Sequence, residues 1–344
     1  MRILFVFIFI SISVHSQTKT DSTHIRFAFG SCIRHTADLR IFDSILKWQP
    51  DYTLLLGDIG YIDSPNHDTA CTILDSIYSD SSFSRLRRFS TLYGTWDDHD
   101  YGLNDGGKYF PAKQEAKERF LDFYDVPSES VLREREGIYT SYRIYSDGKW
   151  IQLIFLDTRW FRSNLNVNDY SVNMEKLPYI PEYLPYEFRD STLLGKEQWT
   201  WLENQLKIPS DLRIICSSIQ FAHSFNGYES WNNFPLEKEK LFKIMMQNEV
   251  ENLVFLSGDV HIAEISKQNV PDLYPIYDFT SSGLSSKWSY PIPNKNRIAG
   301  PIYENHFALL DVNWTENKLI VSIVNRSNQI KIQQTILLSE LKFK

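Results

Sequence analysis

Two short segments of the sequence place carboxylates beside a histidine at spacings that suit a metal site. Residues 93–105, YGTWDDHDYGLND, surround His99 with four aspartates, and like charges this close repel unless a cation or hydrogen-bond donors compensate them. Asp259 and His261 are separated by one residue, so an extended segment would carry both side chains on one face. A calcium loop of the EF-hand type is excluded for 93–105, because no register supplies both the glycine at its sixth position and the glutamate at its twelfth.

Three further candidate ligands follow apolar runs elsewhere in the chain. Cys32 ends the segment HIRFAFGSC, Asp58 ends YTLLLGD, and Tyr61 lies just beyond Asp58. Carboxylate, phenolate, imidazole and thiolate groups together suit ferric iron or zinc alongside a harder ion such as calcium or manganese. Taken singly, Asp58 fits an ordinary Gly-Asp turn and Cys32 fits core packing. Taken together with the two acidic segments, they predict a metal centre.

The composition restricts the partners of such a site. The chain has 344 residues, a formal net charge of −7 and 42% hydrophobic residues, which is enough apolar material for a substantial core. An acidic surface disfavours nonspecific binding to nucleic acid or to anionic membranes. Any phosphate-bearing substrate would therefore have to be bound locally, by metal ions or a few arginines, and we expect no nucleic-acid partner.

Residues 1–16 are typical of a secretory signal peptide. They consist of one basic residue, an apolar run over 3–14 and then small and polar residues. The run is too short to span a bilayer comfortably, and we predict cleavage after Ser16. The mature chain is then expected in the periplasm or outside the cell, without a transmembrane segment. Three cysteines are an odd number for an exported protein, so at least one thiol stays unpaired.

The rest of the chain alternates apolar strand-like runs with amphipathic segments, which predicts a single α/β domain over residues 24–338. Four runs end in polar residues, with the sequences GSC, LLLGD, LDTR and LSGDVH. Because sites in open α/β sheets form at the carboxyl ends of strands, we expect these endings to converge with residues 93–105. The spacing also predicts a surface insertion at 162–190, a hairpin at 137–160, antiparallel strands between 276 and 338, and helices at 38–51, 72–92, 111–127 and 194–207.

The motifs resemble those of the PhoD-like (alkaline phosphatase D) branch of the calcineurin-like metallophosphatases. The matching segments span roughly residues 27 to 286 and occur in family order: FGSC, GDIGYID, TWDDHDYGLNDGG, LDTRWFR, LGKEQWTWLENQL, SSIQF with ESWNNFPLEKEKL, FLSGDVHIAEIS and TSSGL. The resemblance implies a four-layer αββα sandwich, in which two packed mixed β-sheets are flanked by helices. It also implies a dinuclear or multinuclear metal centre at one edge, with Fe3+ and Ca2+ as the expected ions and Zn2+ or Mn2+ as alternatives.

The resemblance also implies a role for each matching residue. Asp58 would bridge the metal ions, His99 would lie near the leaving group and Arg159 would contact phosphate. The sequence departs from the family pattern in two places. Ile59 stands where the family has asparagine, and the region that often supplies a histidine ligand offers either Gln220 or His223 as the metal-binding residue. The full set of implied metal ligands is Cys32, Asp58, Tyr61, Asp98, Asp259 and His261.

These residues together predict an enzyme that hydrolyses phosphoric esters. A metal pair acidifies a bound water and clamps the phosphoryl oxygens, so we expect metal-bound hydroxide to attack phosphorus while His99 protonates the departing oxygen. Arg159 would bind the equatorial oxygens as a bidentate fork. Asp97, Asp100, Asn104 and Asp105 could orient His99, bind a second ion or cap the next segment, and at least one of them is expected to support a ligand. His306 is expected to be a packed or solvated histidine.

Three alternatives remain open at this stage. A phospholipase-type phosphodiesterase would keep the chemistry and change the substrate to a lipid. A glycosidase with paired carboxylates would explain the acids but would give Cys32 and Tyr61 no role. A noncatalytic calcium-binding protein would need only oxygen ligands, and it would likewise leave Cys32 without a function.

Overall fold

The computed structural model describes residues 17–20, 23–169, 181–188, 190–224, 227–290 and 293–344. The predicted signal peptide, residues 1–16, lies outside the described residues, and so does the middle of the predicted insertion, residues 170–180. The strands are β1 Gln17–Thr20, β2 His24–Gly30, β3 Tyr52–Leu56, β4 Thr91–Thr95, β5 Thr140–Ser146, β6 Lys149–Phe155, β7 Asn166–Val167, β8 Tyr183–Leu184, β9 Leu212–Cys216, β10 Leu253–Ser257, β11 Ala263–Gln268, β12 Ile276–Ser281, β13 Arg297–Ile302, β14 His306–Asn313, β15 Lys318–Asn325 and β16 Ile330–Leu337. The α-helices are α1 Ile41–Leu46, α2 His67–Tyr78, α3 Ser81–Phe89, α4 Asp98–Tyr101, α5 Lys113–Phe123, α6 Val131–Glu134, α7 Gly195–Leu206 and α8 Pro235–Gln247.

Most strands belong to two large mixed sheets. Sheet I has eight strands in the order β1-β5-β6-β9-β10-β12-β11-β13, and sheet II has six in the order β16-β15-β14-β2-β3-β4. In sheet II, β2, β3 and β4 are parallel neighbours. In sheet I, β6, β9, β10 and β12 are also parallel neighbours. Parallel neighbours point their carboxyl ends to the same edge, where α/β proteins build their sites.

The two sheets pack face to face because the strands of sheet II are apolar on both faces. Phe27 and Phe29 of β2 lie in a core cluster that includes the strands of sheet I, such as Phe255 of β10. Ala28, between them, faces the opposite way and lies in a second cluster with α1, α2 and α3. This alternation is what a strand covered on both faces requires. The outer face of sheet II is therefore covered by helices.

Helices α7 and α8 cover the other side of sheet I. Trp199 and Leu202 of α7 and Leu241 and Met245 of α8 are buried in the same cluster as the strands of sheet I. Each fully buried side chain of this size contributes about 1.5–3 kcal/mol. The order of layers is helix, sheet, sheet, helix, which confirms the predicted αββα sandwich.

Most predicted segments have the predicted type, helix or strand, but their boundaries were predicted less accurately. The hairpin at 137–160 is confirmed as β5 and β6, which turn at Asp147 and Gly148 with φ of 50° and 75°. The segment predicted to be helical at 72–92 contains the second half of α2 and all of α3, which are separate because the Asp80 side chain accepts from the Ser82 and Phe83 amides and starts a new helix. Strand β13 was not predicted, since RIAGPI has no alternating pattern.

Within the part of the chain that the structure describes, no helix combines the length and the hydropathy that a membrane crossing requires.

Candidate metal centre

Three groups of side chains lie at the joint edge of the two sheets, and each could hold a cation. Within each group the potential ligand atoms are all within 4.8 Å of one another. Asp58 belongs to the first two groups and Asp98 to the last two, so the three groups form one continuous cluster. The groups are Cys32 with Asp58 and His261, Asp58 with Asp98 and His99, and Asp97 with Asp98 and Asp259.

Both sheets contribute to this cluster through the ends of their parallel strands. Cys32, Asp58 and Asp98 follow β2, β3 and β4 of sheet II, whereas Asp259 and His261 follow β10 of sheet I. The convergence that the strand endings predicted is therefore present in the fold, with every predicted ligand at the same edge.

The backbone is strained where it presents these ligands. Cys32, Asp58, Asp259 and His261 have φ of 65°, 56°, 73° and 55°, in the left-handed region that costs a non-glycine residue about 1–3 kcal/mol each. Gly57 precedes Asp58 with φ of 99°, and a Cβ there would lie 2.5 Å from the Asp97 Cβ. This backbone conformation turns the four candidate ligands toward the cluster.

Cys32 is fully buried among polar groups. Its Sγ lies 3.0 Å from Ser282 Oγ and 3.4 Å from Asp58 Oδ2. Burial is the main cause that raises the pKa of the thiol to about 12, and Asp259 adds to it. A soft sulfur ligand buried beside a carboxylate is a suitable site for iron or zinc, since a bound cation reverses this effect and favours the thiolate.

Two carboxylates of the cluster, Asp58 and Asp259, are buried beside other acidic groups. Burial, followed by the neighbouring acids, raises the pKa of Asp58 and of Asp259 well above the usual range. Asp97 Oδ2 is a buried oxygen without a hydrogen-bond partner among the described residues. Because buried charges are normally paired or coordinate metals, this donor set fits two or more cations.

Tyr61 completes the first group. Its hydroxyl lies 2.6 Å from His261 Nε2, and the Arg34 guanidinium stacks over its ring at 4.0 Å from the centroid. Burial lowers the pKa of His261 to about 4, with Arg34 and His99 adding to the effect. His261 is thus held neutral, which is the form that binds metal.

His99 is oriented by an aspartate that the sequence analysis did not assign. Its Nδ1 lies 2.7 and 2.8 Å from the two carboxylate oxygens of Asp63, and its ring packs on Tyr61 with centroids 4.1 Å apart. Burial alone would lower the pKa of His99, but the hydrogen bond to Asp63 and the nearby carboxylates outweigh it, so the pKa is raised. The Asp63 contact leaves Nε2 as the nitrogen that can face a substrate.

Arg159 lies directly beneath the cluster in a buried ion network. Its Nε donates to Asp97 Oδ1 at 2.7 Å, and one terminal nitrogen lies 2.6 Å from Glu229 Oε2. Arg162 Nε lies 2.9 Å from the other oxygen of Glu229. Ser218 Oγ also donates to Asp97, at 2.6 Å. The guanidinium of Arg159 is 0% exposed and held between two carboxylates.

The remaining acids of residues 93–105 support the ligands. Asp100 accepts from the backbone amides of Ile59 and Asp97 at 3.1 and 2.5 Å. The Asp105 amide donates to Asp98 Oδ2 at 2.7 Å, while the Asp105 side chain accepts from the Tyr183 hydroxyl at 2.6 Å. The crowding of charge in this segment is therefore resolved by backbone donors, one arginine and the candidate cation site.

Two of the residues left open by the sequence can now be placed. His306 is fully buried, with Nδ1 2.8 Å from the Glu304 carbonyl and Nε2 3.2 Å from the Ser282 amide, so it packs behind the site. Gln220 donates to Glu264 and Thr280 inside sheet I, at 2.9 and 3.0 Å. Neither belongs to the three groups.

A cleft of about 160 Å³ opens directly onto the cluster. Its lining combines candidate ligands with aromatic and acidic side chains from the loops: Asp98, His99, Asn104, Asp105, Glu182, Tyr183, Tyr228, Glu229, Asp259, Val260, His261 and Trp288. The cleft gives a small molecule access to the cluster.

The sequence did not identify the residues that contact the candidate site residues and hold them in place. Glu229 and Ser282 both lie in segments quoted for the resemblance, ESWNNF and TSSGL, but no spacing rule connects them to Arg159 or Cys32. Asp63 carried a weak signal, since it lies five residues beyond Asp58 in the same polar segment.

Comparisons with known proteins identify the family of this chain. The profile of a family described as PhoD-like phosphatase matches residues 27–299. Alkaline phosphatase D of Bacillus subtilis (strain 168) is 26% identical over an alignment of 282 positions, and the match covers 71% of this chain and 47% of that protein. The chain therefore spans about half the length of this curated relative.

Solved structures share the fold. The structure of PhoD matches with a TM-score of 0.67 at 18% identity, over 93% of this chain and 69% of that chain. A dimetal phosphatase from Danio rerio matches with a TM-score of 0.55 at 13% identity, over 93% of this chain and 99% of that chain. At these identities the likeness shows the fold alone.

Proposed function

Since this chain belongs to the PhoD-like phosphatase family, we propose that it is an exported, metal-dependent hydrolase of phosphoric monoesters or diesters. The observation that carries the proposal is the continuous cluster of three ligand groups joined through Asp58 and Asp98. A cleft of about 160 Å³ opens on that cluster, so an ester can reach it. Export rests on the signal-like composition of residues 1–16.

The proposed metal ligands are the six residues that the sequence predicted. Cys32, Tyr61 and His261 supply the softer donors and suit Fe3+, with Zn2+ as the alternative, whereas a site made only of carboxylates suits Ca2+ or Mn2+. A bound metal pair supplies an acidified water and neutralises the phosphoryl oxygens. The remaining ligands are Asp58, Asp98 and Asp259, with Asp58 shared between sites.

His99 is the proposed proton donor to the departing oxygen. The Asp63 carboxylate holds its Nδ1 at 2.7 Å, which fixes the ring and leaves Nε2 to carry the proton. Burial lowers the pKa of His99, but the hydrogen bond to Asp63 raises it and so favours a ring that carries the proton. Asp63 is a positioning residue in this arrangement, because it reaches the substrate only through His99.

The phosphate contact predicted for Arg159 stays a prediction, and the geometry supports a second role as well. Its guanidinium is buried between Asp97 and Glu229, so it fixes the carboxylate of Asp97 next to Asp98. Arg159 therefore contributes positive charge next to the cluster. A hydrogen bond from Arg159 to phosphate would require the guanidinium to lose its contact with Glu229 or Asp97.

Metal analysis and ester hydrolysis test the proposal together. The purified mature protein should contain iron, zinc, manganese or calcium by elemental analysis, and it should release nitrophenolate from 4-nitrophenyl or bis(4-nitrophenyl) phosphate. Exhaustive chelation should abolish that release, and adding the metals back should restore it. Full activity after complete metal removal would overturn the proposal.

A leaving-group series tests the role of His99. An alkyl leaving group needs a proton, so His99→Ala should lower its kcat by about 10²–10⁴-fold. A dinitrophenyl leaving group needs none and should lose less than about tenfold. His67→Ala, on the exposed side of α2, is the matched control and should leave both rates unchanged. Equal losses for the two leaving groups in His99→Ala would contradict the proton-donor role.

A further inference from the structure

A second cavity, which we call the lateral cavity, lies beside β4, the edge strand of sheet II. Its volume is about 430 Å³, and small-molecule sites typically measure about 300–1,000 Å³. It shares no lining residue with the cleft on the metal cluster. The lining consists of Leu92, Tyr93, Gly94, Phe120, Leu121, Tyr124, Asp125, Val126, Pro127, Glu129, Ser130, Val131, Leu132, Arg135, Ile138, Thr140, Ser141, Tyr142 and Trp201.

Aromatic rings form much of the lining of the lateral cavity. Tyr93 and Tyr142 are stacked, with centroids 4.0 Å apart and an interplanar angle of 22°, and Phe120 packs on Tyr124 with centroids 4.7 Å apart. Val131 is 52% exposed, so the apolar lining continues to the protein surface. These surfaces suit a flat apolar body, which gains about 25 cal/mol for each Å² of apolar area that it buries.

Arg135 is the only basic residue in this lining, and its charge has no acidic partner. Its Nε is buried without a hydrogen-bond partner, and no ion pair joins its guanidinium to a carboxylate among the residues that the structure describes. The guanidinium instead lies 4.0 Å from the ring centroid of Tyr139 and 5.7 Å from that of Trp201. Burial lowers the pKa of Arg135, and the opposing effects of Tyr139, Asp157 and Tyr142 are smaller.

The two acids of the lining do not compensate this charge. Asp125 pairs with Arg87 at 2.5 Å and accepts from the Tyr78 hydroxyl at 3.1 Å. Glu129 is exposed, and it accepts from the Ser128 hydroxyl at 3.1 Å. The guanidinium in the cavity is therefore a partly buried cation with unused hydrogen-bond donors.

Tyr124 supplies a second unused donor. Its hydroxyl is buried and has no hydrogen-bond partner, and it lies over β4, where a Cβ on Gly94 would be 2.0 Å from it. Burial raises the pKa of Tyr124 well above its usual range, so the phenol keeps its proton. A phenol and a guanidinium in one lining are the donors that the oxygens of an acid anion accept from.

We propose that the lateral cavity binds a small organic anion, in which a carboxylate or sulfonate is joined to a flat apolar body. The anionic group accepts from Arg135 and Tyr124, and the apolar body lies among the rings. An anion offsets the cost of burying the Arg135 charge, whereas a neutral ligand leaves that cost in place. The site is separate from the proposed ester hydrolysis and needs no metal ion.

A matched pair of ligands tests the charge preference. 2-Naphthoate and 2-naphthamide have the same ring system and nearly the same size, but only the first is charged. In calorimetry with the metal-loaded protein, naphthoate should bind at least about tenfold more tightly, which corresponds to about 1.4 kcal/mol. Chelated protein should give the same two affinities, and excess inorganic phosphate should not displace naphthoate.

Variants connect the preference to the lateral cavity. Arg135→Met keeps an apolar stem and removes the charge, so it should bring the ratio of the two affinities to about one, while Arg135→Lys should retain part of the preference. Tyr124→Phe removes one hydroxyl and should weaken naphthoate about threefold, the usual effect of losing one hydrogen bond. Arg88→Met is the control: it removes an equal charge from an exposed position of α3 outside the cavity and should keep the wild-type ratio.

Three results would overturn the proposal. The first is equal affinity for naphthoate and naphthamide, or a preference that persists in folded Arg135→Met. The second is loss of naphthoate binding on chelation or on addition of phosphate, because the ligand would then occupy the metal centre. The third uses octanoate and 4-phenylbenzoate to cover other shapes of the apolar body, and it is a Kd above about 1 mM for all three anions.

Discussion

Replacing Glu229 by glutamine should destabilise the protein by about 3 kcal/mol. Glu229 is almost fully buried and neutralises Arg159 and Arg162 at 2.6 and 2.9 Å. Removing one partner of a buried ion pair costs about 3–5 kcal/mol, because a charge is left uncompensated away from water. The low end applies here, since Arg159 keeps Asp97 and Arg162 still donates to the carbonyls of Ser163 and Gly106, at 2.9 and 2.8 Å.

Urea unfolding followed by tryptophan fluorescence and by circular dichroism measures this loss. The experiment uses chelated protein, so that a change in metal affinity does not contribute to the apparent free energy of unfolding. Glu203→Gln is the matched control, because Glu203 pairs with Lys207 on the exposed side of α7 at 2.8 Å and exposed pairs contribute about 0.2–1 kcal/mol. A loss below about 1 kcal/mol for Glu229→Gln, equal to the control, would refute the account of the network as a buried charge cluster.

Three further predictions follow from the site and its supports. Cys32→Ser should lower the iron or zinc content measured by elemental analysis, whereas Cys216→Ser, at a buried thiol in the core of sheet I, should leave it unchanged. Burial lowers the pKa of His306 to about 4, so below about pH 6.5 this histidine is protonated in the unfolded chain but not in the native state. The free energy of unfolding should therefore fall by up to about 3 kcal/mol by pH 4. His306→Gln should remove that part of the pH dependence of the urea midpoint. Gly57→Ala should reduce both the thermal midpoint and the metal content, because a Cβ would lie 2.5 Å from the Asp97 Cβ. The control is Gly148→Ala, which has open space around it and should lower the free energy of unfolding by only about 1 kcal/mol, through its positive φ.

The positions of the candidate ligands were predictable because each follows a strand whose type is visible locally. YTLLLGD and LVFLSGDVH are apolar runs with a polar end, and that pattern alone placed Asp58, Asp259 and His261 at strand termini. Which strands become neighbours is a nonlocal matter, and the sequence gives no direct signal for it. The order β2-β3-β4 beside β14–β16, for example, depends on packing across the whole chain.

The supporting residues were less predictable for the same reason. Arg159 ends a strand in LDTR and was expected to face phosphate, but its position in the structure depends on Glu229, which lies 70 residues further along the chain. Asp63 was visible as a polar residue near Asp58, yet its contact with His99 requires β3 and β4 to be adjacent. Short-range spacing indicates candidate ligands, whereas the groups that orient them are set by tertiary contacts.

The division of the ligands between the two sheets has a consequence for the lifetime of the folded state. Cys32, Asp58 and Asp98 belong to sheet II, and Asp259 and His261 belong to sheet I, so a cation bound among them cross-links the two central layers. We expect the loaded protein to unfold more slowly than the chelated protein, because separating the sheets would require at least one sheet to release the cation. Tight metal binding would thus confer kinetic stability, and the chain would keep its structure for as long as it keeps its metals.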